Sequence, residues 1–341
     1  MNQKLFCAIF FALGLVSLTG QDVHFTQYEL SPVLINPAHT GGFNGSFRLG
    51  GLYRDQGSGV AGFGNGYSTP HFFVDATFPW AFRKQDWMGI GINFYQDRSG
   101  AIGLGKGGYI ATAAYHIGLN KTVNSSLSVG AQFGSVSFNV KNQNDAIFFT
   151  QLSSGSPSPD NSKLATKGSY QDISAGLIYN TDITETRHQL KIGISAGHIN
   201  QPSYTIASGT GQTSANKLKM LLSAHTSFQY HLNEKLDIIP LIWFRNLEKA
   251  SETSVQGMLS YLFNVEKSIR LNAGLGYRFG DALQFMVGVN YGKIKAQIGI
   301  DNTISDLSKG SGFGAFEIGL GYVGTVVKKP NPKPKVFCPR F

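Results

Sequence analysis

Between Ile269 and Tyr322 the chain alternates apolar and polar residues through four successive segments. Ile269, Leu271, Ala273, Leu275 and Tyr277 interleave with Arg270, Asn272, Gly274, Gly276 and Arg278. After Gly280-Asp281, the residues Leu283, Phe285, Val287, Val289 and Tyr291 interleave with Gln284, Met286, Gly288 and Asn290. Ile294, Ala296, Ile298 and Ile300 follow, and then Phe316, Ile318, Leu320 and Tyr322, again spaced by Gly, Lys, Gln, Asp or Glu. Successive side chains of a β-strand point to opposite faces, so each segment has one greasy face and one small or polar face. A soluble sandwich shares this alternation. Here, though, the polar face is mostly Gly with a few charges, and the apolar face often ends in Tyr or Phe. That suits a membrane-embedded antiparallel barrel with lipid outside and aromatic residues at the bilayer boundary.

The N-terminus predicts export. Lys4 precedes an apolar run from Leu5 to Leu18, and small residues lead to a polar stretch at Gln21-Asp22. This reads as a signal peptide over residues 1–20, cut between Gly20 and Gln21. The run is shorter than the roughly 20 residues a spanning helix needs. Cys7 lies too early in it for a lipoprotein site, which leaves Cys338 as the single cysteine of the mature chain and no internal disulfide. Gly makes up 42 of 341 residues and only 14% are charged, against typical values of about 7% and about 25%. The net charge of +9 forms no basic face, so nucleic acid is not an expected partner.

Alternation and turn residues place strands near 47–53, 69–79, 88–95, 107–118, 126–138, 169–179, 189–198, 217–230, 235–245, 253–263, 268–278, 282–292, 294–303 and 315–324, about fourteen in all. Connections after odd-numbered strands include the long ones, at 54–68, 96–106, 139–168, 199–216 and 304–314. Those after even-numbered strands are short. An even-stranded bacterial barrel sorts its loops this way, with short periplasmic turns and long outside loops. Residues 21–46 are too apolar to be left in water, with Phe25, Tyr28, Leu30, Val33, Leu34 and Ile35 among them. Pro32 and Pro37 break regular structure there. A plug-like or periplasmic segment, folded into or under a barrel over 47–324, is expected. Residues 325–341 alternate Pro and Lys, as in an extended periplasmic arm.

Familiar chemical motifs are incomplete. Gly100 to Lys106 nearly spells a phosphate-binding loop, but Gly107 stands where Ser or Thr would hold magnesium, so a Gly-rich hairpin loop is expected. The eight His residues show no metal-ligand spacing. No cofactor or metal is implied. Ser195 and His198 lie three apart on one segment, which places them on opposite faces of a strand. Lys191, Arg270, Arg278 and Lys295 fall on the lumen phase. They fit either paired charges in a wet interior or a surface for a polar or anionic partner.

Several stretches, taken in order, resemble one family. Gln21-Asp22-Val23-His24-Phe25-Thr26-Gln27-Tyr28 leads to Ser31-Pro32-Val33-Leu34-Ile35-Asn36-Pro37-Ala38 and Gly41-Gly42. Tyr53-Arg54-Asp55-Gln56 ends the first strand, and Ser195-Ala196-Gly197-His198 precedes Gln201-Pro202. Gly276-Tyr277-Arg278, Glu317 and the terminal Cys338-Pro339-Arg340-Phe341 complete the set. This pattern is similar to that of the PorP/SprF proteins of the type IX secretion system. The family usually has Asn at the position of Ser31 and a polar residue at that of Phe316.

The resemblance implies a non-enzymatic outer-membrane barrel of a Gram-negative bacterium, embedded in outer-membrane lipid. Such proteins support export or surface attachment of large adhesins that carry a type IX C-terminal sorting domain, in some cases within gliding motility. Implied partners are that cargo and either type IX components or a peptidoglycan-linked periplasmic protein. Candidate partner-binding or plug residues are Gln27, Tyr28, Pro32, Asn36, Pro37, Gly41, Tyr53, Arg54, His198, Gln201, Pro202, Cys338 and Arg340. For Gln27, Tyr28, Asn36 and Pro37 two readings stand: a plug that only stabilises the barrel, or a docking segment facing the periplasm. The rival function is a passive channel or transporter for small or hydrophobic molecules; a membrane hydrolase is a second.

Overall fold

Pairing between the first and last long strands closes the wall of the molecule. The computed structural model describes residues 24–57, 66–79, 81–99, 103–120, 125–141, 167–183, 188–204, 216–248, 250–304 and 314–326. The wall consists of β1 (Phe47–Gln56), β2 (Tyr67–Phe78), β3 (Trp87–Ser99), β4 (Leu104–Asn120), β5 (Ser125–Val140), β6 (Lys167–Ile183) and β7 (His188–Gly197). It continues with β10 (Leu221–His231), β11 (Leu236–Leu247), β12 (Ala250–Asn264), β13 (Ile269–Arg278), β14 (Ala282–Tyr291), β15 (Ile294–Thr303) and β16 (Ala315–Gly324). These fourteen strands pair antiparallel with their neighbours. A separate two-stranded ladder, β8 (Ser203–Tyr204) with β9 (Asn216–Lys217), lies within the β7–β10 connection.

The burial pattern is inside-out relative to a soluble protein. On β14, Phe285, Val287 and Val289 are exposed while Gln284 is 1% exposed; on β16, Leu320 is 57% exposed and Glu317 1%. An apolar outer band and a buried polar interior are the pattern of a barrel whose solvent is lipid. Phe47 of β1 pairs with Gly324 of β16, so both ends of the barrel chain emerge at one rim, here termed the terminal rim. The opposite one is the loop rim.

Two boundaries differ from the sequence expectation. The long connection expected at 96–106 is largely strand, because Gln96 pairs with Gly107, Asp97 with Lys106 and Ser99 with Leu104. Hence Gly105-Lys106-Gly107 lies in β4, not in a hairpin loop. Strands β4, β5 and β6 run for 17, 16 and 17 residues, beyond the 9–11 that cross a bilayer. Hydrogen bonding outlasts the hydrophobic pattern where the sheet leaves the lipid. The strand expected over 217–230 joins the wall only from Leu221, opposite Gly197. The Leu218 N–H donates to the Pro202 carbonyl at 3.0 Å, which holds the preceding residues in the small β8–β9 ladder. Most of the Ser/Pro-rich stretch 139–168 lies outside the described residues.

Candidate functional site

The interior is occupied by the chain's own N-terminal segment. At the loop-rim half, the Thr26 and Gln27 N–H groups donate to the two carboxylate oxygens of Glu317, at 2.8 and 3.1 Å. The Thr26 hydroxyl donates to Asp301 at 2.6 Å. Arg54 bonds Glu317 at 2.5 Å and Asp301 at 3.1 Å, and Arg278 reaches Asp301 and Thr26 Oγ1, each at 3.1 Å. Arg54, Arg278, Asp301 and Glu317 are 4%, 3%, 3% and 1% exposed. All four lie within two residues of the loop-rim ends of β1, β13, β15 and β16. Charges buried this deeply persist only when paired and hydrogen-bonded, and here each carboxylate meets a guanidinium.

From Thr26 the segment descends. Phe25 and Leu30 pack on Leu52 of β1. Tyr28 is buried edge-on against Trp243, with ring centroids 4.2 Å apart. Glu29 forms an ion pair with Lys295, whose ammonium holds the Glu29 carboxyl below the usual carboxylate range. Pro32 opens a one-turn helix, Pro32–Ile35, and Pro37 a 3-10 turn, Pro37–His39, as expected of a residue without an N–H. The segment's carbonyls find partners on the wall: Gln132 Nε2 donates to Val33 O at 2.7 Å and Ser195 Oγ to Ile35 O at 3.0 Å.

Asn36 joins segment to wall. Its Oδ1 accepts from the Ala38 N–H at 2.9 Å, and its Nδ2 donates to the carbonyls of Leu177 and Ile194 on neighbouring strands. Such close approach requires wall residues without side chains. A Cβ on Gly176 would collide with Asn36 and one on Gly130 with the Ala38 backbone.

Nearer the terminal rim, His116 Nε2 donates to the Thr40 carbonyl at 2.8 Å, so its Nδ1 accepts from the Ser128 hydroxyl at 2.6 Å. The Gly41 N–H donates to Asp75 at 2.7 Å, and Arg48 grips the same carboxylate through Nε and Nη2. Gly41 adopts φ +69° and packs against Gly89, a conformation and a proximity that both exclude a side chain. His39 Nε2 faces His225 Nε2 at 3.3 Å. Burial first, then the neighbouring Lys191, His225, Arg48 and His116, hold the His39 pKa well below the usual imidazole value. Only the end of the segment, from Gly41, reaches the terminal rim. The remainder lies inside the wall, with Thr26 at the far end.

Of the other candidates, Tyr53 is 41% exposed and faces outward, while its neighbour Arg54 points in. His198 ends β7 with φ +54° and Gln201 follows at φ +43°. Asn200 then stands in for a strand neighbour, accepting from Ile173 N–H at 3.1 Å and donating to Gln171 O at 2.8 Å. Pro202 is buried and anchors Leu218. Ser195 and His198 do not point to opposite sides as the alternation implied. The left-handed residue at 198 breaks the strand phase and turns the imidazole inward, where it bonds Asp172 at 2.8 Å. Ser195 and His198 both line a cavity of about 70 Å³ between segment and wall, alongside His24, Tyr28, Trp243 and Arg245. The Ser195 hydroxyl is engaged by Ile35, a tethering role. Gly20, Gln21, Cys338 and Arg340 lie outside the described residues.

Sequence reasoning missed Thr26, Asp75, Asp301 and Asn200 as site residues. The first three had a usable signal. A hydroxyl follows Phe25 in an apolar segment, Asp301 falls on the lumen phase of a strand bearing Gln297 and Gly299, and Asp75 on that of a strand bearing Thr69 and His71. Asn200 had none, since its role depends on a bend the alternation does not encode.

Fold and interior define a class: a closed outer-membrane barrel whose lumen holds an ordered N-terminal segment. The family model of the type IX secretion system membrane protein PorP/SprF matches residues 17–322. The chain belongs to this family and is a membrane component of type IX secretion. No curated protein matches it in sequence. Among solved structures, it is similar to a TodX deltaS2S3 mutant monoaromatic hydrocarbon channel, with TM-score 0.53 and 10% identity over 87% of this chain and 94% of that one. A TodX deltaS2 mutant gives TM-score 0.52 and 10% identity over the same shares. The toluene transporter TodX of Pseudomonas putida gives 0.49 and 11%, over 89% and 93%. At such identities the two mutant channels speak for the barrel architecture alone.

Proposed function

We propose that this barrel supports export or surface attachment of large adhesin-type proteins bearing a type IX C-terminal sorting domain, as part of surface display or gliding. It does so by binding rather than by catalysis. The observation that carries this reading is the filled lumen. Thr26, Asn36 and Gly41 are each tied to the wall by hydrogen bonds at different depths, so the interior is built to stay occupied. A plugged transporter would have to release the segment from these bonds at each passage, which favours holding a partner over passing solutes. The cargo would dock at the loop rim. The terminal rim faces the periplasm, because an even strand number returns both ends there. Type IX components or a peptidoglycan-linked periplasmic protein would engage that side, where the basic tail begins.

Deletion of the gene tests this directly. Surface display of one large secreted adhesin should be abolished while uptake of small hydrophobic and polar solutes stays unchanged. Unchanged display together with lost uptake would establish the transporter reading in its place. Phospholipid turnover by the purified barrel, abolished by Ser195→Ala, would overturn the non-enzymatic assignment.

A further inference from the structure

The β2–β3 turn at the terminal rim is rigid beyond what a connection requires. Asp86 is 4% exposed and serves as its hub. Arg83 donates to it through Nε at 2.9 Å and Nη2 at 2.8 Å, Tyr115 Oη donates at 2.8 Å and the Gly118 N–H at 3.0 Å. Arg83 and Gln85 also donate to the Gly118 carbonyl, at 3.1 and 3.3 Å. The Phe82 N–H is held by Tyr115 Oη at 3.2 Å. With so many bonds to one carboxylate and one adjacent glycine, the turn has little freedom left. What it presents is Phe82, 96% exposed.

The position of Phe82 identifies what it faces. Its ring lies 5.8 Å from that of Tyr115. Tyr115 is on the outward phase of β4, and its cross-strand partners Met88 and Val129 are 38% and 46% exposed on the apolar band. The Phe82 end of the turn therefore lies over the lipid side of the wall, while Gln85 crosses the lumen-phase Gly118 on the inner side. Arg83, with 48% of its side chain exposed, and the exposed Lys84 flank the ring. An exposed aromatic at the edge of the apolar band, bordered by cations, matches the depth profile of a phospholipid: acyl chains and glycerol, then phosphate.

We propose that residues 82–84 form a phospholipid site at the inner face of the outer membrane. Phe82 enters the acyl–glycerol boundary, and Arg83 and Lys84 engage the phosphodiester. Asp86 and Tyr115 are positioning residues that hold the turn against the wall. The site fixes the depth and tilt of the barrel on the side where periplasmic partners approach, and it does not depend on the identity of the cargo.

Two measurements on the full-length barrel, reconstituted without any other protein, test the site. In the first, Phe82→Trp is compared with the unmodified protein in vesicles of ordinary and chain-brominated phospholipid. The additional emission should be blue-shifted and quenched by the brominated lipid. Unquenched emission at the wavelength of water-exposed indole would mean that the ring faces solvent and suits a protein partner, overturning the proposal. In the second, native mass spectrometry counts phosphatidylglycerol retained against phosphatidylcholine after detergent exchange. Lys84→Gln should retain about fivefold less phosphatidylglycerol, with a smaller loss of phosphatidylcholine, whose phosphodiester is offset by its own choline cation. Equal retention by both proteins would remove the charge component and the site with it. Heat-dependent electrophoretic mobility confirms that each variant is a folded barrel; neither side chain contributes to the wall's core.

Discussion

Arg54→Met would test whether the buried charges hold the lumen segment. The Arg54 side chain is 5% exposed, and its guanidinium bonds Glu317, 1% exposed, and Asp301, 3% exposed. Removing it leaves two carboxylates to share Arg278, which is also engaged by Glu252 and Asp281. Deleting one partner of a buried ion pair costs about 3–5 kcal/mol, because the remaining charge loses its compensation. The wall keeps its own hydrogen-bond ladders, so the cost falls on docking of the segment. Its opening equilibrium should rise by roughly a hundredfold to several thousandfold.

Hydrogen exchange at the Thr26 and Gln27 amides reads that equilibrium, since both donate to Glu317. Exchange should accelerate by that factor while the β13–β16 amides stay protected. Adding Glu317→Gln removes the orphaned charge, so the double variant should recover a large part of the loss. Exchange in Arg54→Met within about threefold of the unmodified protein, or no recovery in the double variant, would refute the view that the charge pair fastens the segment.

Gly130→Val places a side chain where the Ala38 backbone lies. Overpacking of this kind costs about 1–3 kcal/mol or more, and it should raise protease cleavage within 24–41 without unfolding the barrel. Acid should act on the same segment. His39 has its pKa lowered by docking from 6.5, so the released state binds more protons. Its contribution is complete above that value and is lost as pH falls toward the depressed pKa. Glu29, lowered from 4.5 by Lys295, adds a loss in the same direction further down. Protection factors of the 36–41 amides, referenced to the intrinsic exchange rate at each pH, should therefore fall on acidification below 6.5, and His39→Gln should flatten the first part of that fall. Asn200→Ala removes two bonds to the edge of β6. A loss of about 1–3 kcal/mol should appear as faster exchange at Ile173, with β5–β6 pairing intact.

Strand order, phase and closure were legible because a barrel in lipid writes its solvent onto every second residue. Leu283, Phe285 and Val287 face lipid for the same reason that Gln284 does not. Strand ends were less legible where the wall projects past the bilayer. Asp97 and Lys106 pair as strand although neither obeys the apolar alternation. The path of residues 24–46 was not readable at all, since their anchors are spread over most strands of the wall. Asn36 meets Leu177 and Ile194, and Thr26 meets Glu317 nearly three hundred residues away.

The glycine-rich polar face has a structural cause that composition alone does not reveal. A water-filled lumen tolerates any polar side chain, and glycine in a strand carries an entropic and packing cost. Glycine is needed where the segment comes close: Gly89 and Gly130 lie against the backbone at Thr40–Gly41 and Pro37–Ala38, and Gly176 against the Asn36 side chain. Part of the lumen face is thus shaped as the negative of one particular segment, while glycines such as Gly193 and Gly274 make room for the wall's own His225 and Met258. On the proposed function, a wall cut this closely to its occupant favours holding that segment over passing a succession of unrelated solutes. It resists replacement of the segment by anything that lacks the same kinks at Pro32 and Pro37 and the same left-handed residue at Gly41. On the proposed function, partner recognition belongs to surfaces outside the lumen, and the segment's contribution is to make those surfaces rigid.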